Sequence, residues 1–128
     1  MTNVFKSQPA TVKLGSNPKA RQFRTQLRKQ AAQGPNFAGH YRIAVWGCGS
    51  SCQQFAIIDC KTGHVYFPPQ LPYVTYVHWN GDDPGLQFRI DSRLLILNGS
   101  PQEEETNGSF YYLWTTNQLQ LIRSKPRR

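Results

Sequence analysis

The residues able to do chemistry are three cysteines and three histidines. Cys48 and Cys52 lie in the turn-like run Gly47-Cys48-Gly49-Ser50-Ser51-Cys52, and Cys60 and His64 complete a Cys-x3-Cys-x7-Cys-x3-His spacing. Three chemistries fit these residue types. Cys48 and Cys52 could close a tight turn as a disulfide, the flanking glycines letting the two Cα atoms come within about 4.4–6.8 Å. All four residues could bind zinc, which needs every ligand within about 2.0–2.3 Å of one metal. One thiol, Cys48 or Cys52, could be a nucleophile with His40 as its base. Extended chain over residues 53–60 would put Cys60 roughly 25 Å from Cys52, which argues against zinc. No metal site and no cofactor are therefore expected. His40 would open the strand that ends near Cys48, an unfavourable layout for a dyad. Between Gly39 and Tyr41 it reads more readily as a packed, hydrogen-bonded residue. Asp59 and Asp91 each open a turn, which accounts for them without acid–base work. The sequence has no phosphate loop, nucleophile elbow, His-Glu-x-x-His or EF-hand pattern.

A second kind of chemistry is charge. The chain of 128 residues carries a formal net charge of +8. Residues 1–58 contain Lys6, Lys13, Lys19, Arg21, Arg24, Arg28, Lys29 and Arg42 and no acid. All seven acids fall in residues 59–122, and the last six residues add Arg123, Lys125, Arg127 and Arg128. Such asymmetry suits an anionic partner, with a solvated surface as the bland alternative. Tyr73, Tyr76 and Trp79 are unusual aromatics for a connector, and with Arg21, Arg24, Arg28 and Lys29 they form the expected partner-binding set. His78, beside Trp79, belongs to the same stretch.

These residues need elements to position them. Residues 1–16 read as an extended arm. Residues 17–33 read as a helix, with Asn17 as N-cap, Pro18 in the first helical position, and Gly34-Pro35 as the stop. Ala20, Phe23, Leu27 and Ala31 make one narrow apolar stripe. Alternation then predicts strands over 41–46, 54–59, 64–67, 86–90, 94–97, 110–114 and 119–122, with 68–84 as loop and 98–109 as a polar stretch. Phe23, Leu27, Ile43, Val45, Ile57 and Leu95 are the expected core. The fold expected is α+β: one N-terminal helix followed by an antiparallel meander of about seven short strands, a single domain over 17–122 with a basic tail at 123–128. No apolar run approaches the roughly 18 residues of a membrane span. Residues 1–6 lack the apolar core of a signal peptide, so the expectation is a cytoplasmic protein, or an exported one whose signal has been trimmed.

Several stretches together carry a resemblance. Asn36-Phe37-Ala38-Gly39-His40-Tyr41 is followed by Trp46-Gly47-Cys48-Gly49 and Cys52. Asp59 with Lys61-Thr62-Gly63, and then Asp91-Ser92-Arg93-Leu94-Leu95, complete the set. On these motifs, over about residues 13–122, the chain resembles a family of small, mostly exported bacterial proteins with no established activity. Cys60 departs from the family pattern, which more often has a small residue there. The resemblance implies a periplasmic or secreted location, and in that compartment a Cys48–Cys52 disulfide with Cys60 unpaired is the favoured chemistry.

The functional expectation is a non-enzymatic binding protein of the bacterial envelope. It would engage an acidic protein or anionic envelope polymer through the basic helix and the aromatic loop, in an inhibitor- or immunity-like role. A small Cys/His-dependent enzyme using His40 with Cys48 or Cys52 is the first alternative. A cytoplasmic nucleic-acid binder is the second, although no helix-turn-helix, zinc-finger, RRM or KH signature is present.

Overall fold

The computed structural model describes residues 4–77, 79, 85–101 and 107–127. His78 and the acids at 82–83 and 103–105 lie outside the described residues. A 3₁₀ turn (Leu14–Ser16) and helix α1 (Arg24–Ala31) precede strands β1 (Tyr41–Gly49), β2 (Cys52–Asp59), β3 (Val65–Tyr66) and β4 (Val74–Thr75). Then follow β5 (Gly85–Gln87), β6 (Leu94–Pro101), β7 (Asn107–Trp114) and β8 (Leu119–Arg127). These eight strands form one antiparallel sheet in the order β1-β2-β4-β6-β7-β8, with β3 also pairing β2 and β5 also pairing β6.

The fold is therefore mostly β, which corrects the α+β expectation of a helix over 17–33 ahead of a meander. The apolar stripe explains the shortened helix. Ala20 and Phe23 are three residues apart, whereas Phe23, Leu27 and Ala31 are spaced by four. Over the first stretch the backbone bonds run i→i−3: the N–H of Ala20 donates to Asn17 (3.0 Å), that of Gln22 to Lys19 (3.1 Å) and that of Phe23 to Ala20 (3.3 Å). Such turns repeat every three residues and bring positions 20 and 23 to one side. The first i→i−4 bond is Leu27 N–H to Phe23 O, at 3.0 Å. Asn17 still caps, its Oδ1 accepting from the Lys19 N–H at 2.9 Å, but it caps a tight turn. The meander fails at β4. This two-residue strand lies in the expected loop 68–84 and ties Cys52 and Gln53 of β2 to Ser100 and Pro101 of β6. Pro68, Pro69 and Pro72 keep the chain between β3 and β4 out of the ladder.

The sheet folds back so that its β1–β2 end and its β6–β8 end share one core. The Trp114 ring on β7 stands edge-on to Tyr41 of β1 (5.3 Å) and Tyr66 of β3 (5.4 Å). Phe37, Ile43, Phe55, Ile57, Leu95 and Leu97 fill the same space and are fully buried. A second, smaller core covers the outer face of β1 and β2, where Ala20, Leu27 and Ala31 pack with Ala44, Ala56, Ile58 and Val12 of the arm. Of the expected core, Leu27, Ile43, Ile57 and Leu95 are buried, while Phe23 and Val45 are partly buried at the margins. The arm lies on the body through Phe5 N–H to Gly39 O (2.8 Å), Ala10 N–H to Cys60 O (2.9 Å) and Lys13 N–H to Gly63 O (2.8 Å). Residues 123–127, expected as a loose basic tail, continue β8 and pair with β7 as far as Asn107 opposite Arg127.

The outer edge of β1 is closed by side chains. Gln30 of α1 donates from Nε2 to Val45 O (2.7 Å) and accepts the Val45 N–H on Oε1 (3.1 Å). Asn36 does the same for Ile43, donating to its carbonyl at 3.2 Å and accepting its N–H at 2.7 Å. Two primary amides thus stand in for a neighbouring strand.

Candidate partner-binding surface

The cysteines are placed first by the β1–β2 hairpin. Its register slips between Gly47 and Gly49, so Cys48 is the extra residue of a bulge, and Gly49 faces Cys52 across a two-residue turn. Ser51 takes a left-handed conformation (φ 54°) to close that turn. Cys48 and Cys52 are joined as a disulfide with their Cα atoms 5.2 Å apart, and Cys60 is a free, buried cysteine. The disulfide sits at the hairpin tip, not between the two halves of the core. Neither member carries a thiol able to attack, and His40 is eight residues from Cys48 along β1, about 26 Å at strand rise. The dyad of His40 with Cys48 or Cys52 is thus not assembled. Zinc ligation by Cys48, Cys52, Cys60 and His64 fails for a related reason: two of the three sulfurs are bonded to each other at one end of β2 and Cys60 follows its other end.

His40 instead belongs to a corner with Asp59 and Cys60. Its Nε2 is 3.7 Å from Asp59 Oδ1, its ring lies 4.2 Å from that of Tyr41, and its carbonyl accepts the Cys60 N–H at 2.8 Å. Burial lowers the His40 pKa; Asp59 opposes the shift, and Lys61 and Arg93 reinforce it. Burial, with the nearby Asp59 charge, pushes the Cys60 thiol up to about 11. A thiol held protonated and 1% exposed is an inert packing group. Asp59 accepts the Lys61 N–H on Oδ1 at 2.9 Å, which is the expected turn-opening role. The loop leading to this corner explains the Asn36–Tyr41 motif in structural terms. Ala38 (φ 50°) turns it, and the Ala38 and Gly39 N–H groups donate to Ser92 O (3.1 Å) and Ile90 O (2.7 Å) beyond β5. The motif clips the two ends of the sheet together.

The cations lie on the outside. Lys19, Arg21, Arg24, Arg28 and Lys29 are all exposed, while Leu27 and Ala31 face inward. Among the described residues the ion pairs are His40–Asp59 and Arg89–Asp91, so no acid there neutralises this face. Lys19 lies over the Phe67 ring at 5.9 Å, and Arg24 donates to the Arg21 carbonyl at 3.1 Å. Arg42 is spent differently: it donates to Gly34 O (3.2 Å) and Gln33 Oε1 (2.9 Å), holding the turn that follows α1.

The aromatic loop is not part of the same face. Tyr76 packs against the core between the sheet ends, whereas α1 covers the other core on the outer side of β1 and β2. The Tyr76 hydroxyl donates to Gln53 Oε1 at 2.6 Å, and burial pushes its pKa up to about 12. Its ring lies on β6 at Gly99, where a Cβ would come within 2.6 Å of both Tyr76 Cδ1 and the Thr75 carbonyl oxygen. Tyr73 lines a cleft of about 380 Å³ with Thr75, Val77 and the disulfide turn, and Trp79 is half-buried. A feature that sequence reading passed over is the continuation of β8 through the basic tail, where Arg123 and Lys125 sit two apart on one strand, in register with Tyr111 and Ser109 of β7. The two-residue spacing of those cations after Leu121 was the available signal.

Comparison with known protein families, with curated proteins and with solved structures gave no match for this chain. The motif resemblance accordingly rests on the residues that carry it. Among the described residues, no helix is long and apolar enough to cross a membrane.

Proposed function

We propose that this protein is a non-enzymatic binding protein that engages an acidic partner protein through the cationic face of residues 19–29. The observation that carries this reading is the exposure of Lys19, Arg21, Arg24, Arg28 and Lys29 with no ion pair among the described residues. Like charges one helical turn apart, such as Arg24 and Arg28, cost a helix about 0.2–0.5 kcal/mol, and an acidic partner would remove that cost. An exported, envelope location fits a disulfide-bonded chain, since disulfides persist in oxidising compartments. The enzymatic alternative loses support because its two thiols are bonded to each other and the third is buried and held protonated.

Poly-L-glutamate serves as a probe of acidic polypeptide. Its binding should weaken as salt shortens the screening length to about 8–10 Å at 0.1–0.15 M. The double variant Arg24→Gln/Arg28→Gln should fold as well as the parent and bind at least about tenfold more weakly. Equal affinity of variant and parent across a salt series would reduce this face to a solvated surface. Tighter binding of single-stranded DNA than of polyglutamate, lost in the same variant, would assign the face to nucleic acid instead.

A further inference from the structure

The two outer strands of the sheet are treated differently. Along β1, Gln30 and Asn36 occupy the backbone groups of Val45 and Ile43, so that edge is closed over this stretch. Along β8, the bond found among the described residues is Gln70 Nε2 to Leu119 O, at 2.6 Å. Pro126 ends the usable edge at the other side, since it has no N–H to offer. Among the described residues nothing further pairs with 120–125, all of them exposed, which leaves an open run of about 20 Å at strand rise.

The side chains on this run are selective. Leu121 and Ile122, 51% and 52% exposed, form an apolar pair where the β7–β8 register slips. Arg123 and Lys125 follow, both exposed, and opposite Tyr111 and Ser109 rather than any acid. Edge strands often carry cations and proline to prevent self-association. Here that device rejects a second copy, because two antiparallel β8 strands would set cations against cations. It equally favours a strand of opposite charge.

We propose that the free edge of β8 accepts an acidic extended segment of another protein as an added antiparallel or parallel strand. Main-chain hydrogen bonds along 120–125 supply the register. Leu121 and Ile122 anchor apolar side chains of the incoming segment, and Arg123 and Lys125 select carboxylates. This site is separate from the helix face and does not depend on it.

The test uses the whole protein, isotopically labelled, with the probe peptide acetyl-Glu-Val-Glu-Thr-Glu-Val-Glu-amide. Amide shifts and slowed hydrogen exchange, by about tenfold or more, are expected within residues 120–125. Affinity should fall at least about tenfold in the Arg123→Glu/Lys125→Glu variant, and to a lesser degree in Arg123→Gln/Lys125→Gln, with the remaining amide spectrum unchanged. The Arg24→Gln/Arg28→Gln variant should keep the full β8 response, so that failure of the helix reading and failure of this one are distinguishable. Shifts confined to residues 19–29, undiminished binding after charge reversal, dimerisation through β8, or no β8 response at about 1 mM peptide would each overturn the proposal.

Discussion

At the scale of single residues, environment decides which of the titratable groups keep their chemistry. Cys60, Asp59 and His40 supply a thiol, a carboxylate and an imidazole in one corner, the residue types of a hydrolytic triad. Burial raises the thiol to about 11, so at neutral pH it stays protonated and is not poised to attack, and lowers the imidazole, which makes it a weaker base. The corner is a structural joint, and its pH response follows from that. The His40 pKa is lowered in the folded protein below its ordinary 6.5. The unfolded chain therefore takes up the proton first, and the stability due to neutral His40 is present above about pH 6.5 and lost as the pH falls through the lowered folded value. Stability measured as a urea midpoint should decline between about pH 7.5 and 5, and the decline should be shallower in His40→Gln. Parallel profiles for parent and variant would show that Asp59 compensates the burial of His40 fully.

At the scale of elements, the clearest device is the pair of amides that close β1. Gln30 and Asn36 each satisfy one N–H and one C=O that would otherwise face open solvent or another chain. Replacing Gln30 by Ala removes both bonds to Val45 and should cost about 1–2 kcal/mol. It should also expose a template for intermolecular pairing. A lowered urea midpoint together with increased light scattering on storage would bear this out; a lowered midpoint alone would mean that the amide stabilises without guarding the edge. This device could not be read from the sequence, because Gln30 lay on the polar side of a helix pattern and Asn36 in a loop. The ladders were more legible. Alternation located β1, β2, β6, β7 and β8, since one face of each meets the central core. The run Phe55-Ala56-Ile57-Ile58 held a further message in its continuity: a strand apolar on both faces is covered on both faces, here by Leu95 and Leu97 of β6 on one side and by α1 on the other. The two-residue β4 has too few positions to show any period. The length of α1 was misjudged because a stripe at i, i+3, i+7 and i+11 fits a 3₁₀ start as well as a continuous α-helix.

At the scale of the whole molecule, what matters is how the two ends of one sheet are held face to face. The disulfide does not do it, because it closes only the tip of the β1–β2 hairpin. β4 contributes two residues of ladder to each side. The larger share falls to side chains that cross the gap, and Trp114 is the central one. It projects from β7 with 1% exposure and meets Tyr41 of β1 and Tyr66 of β3 edge-on, while its backbone N–H donates to the Arg93 carbonyl at 2.8 Å. A short chain with a lean apolar fraction of 38% depends heavily on such aromatic contacts. Trp114→Ala should therefore cost about 3–5 kcal/mol, near the upper end for a core truncation. The loss should register at both ends of the sheet: near-UV circular dichroism from Tyr41 and Tyr66 should collapse with that of the remaining tryptophans in one transition. A variant that keeps the tyrosine signal while losing order in β6–β8 would show instead that the β1–β3 end, backed by α1 and the arm, folds without its counterpart. In that event the cationic helix face would survive the loss of β8, and the two proposed binding surfaces would belong to separately stable parts of the chain.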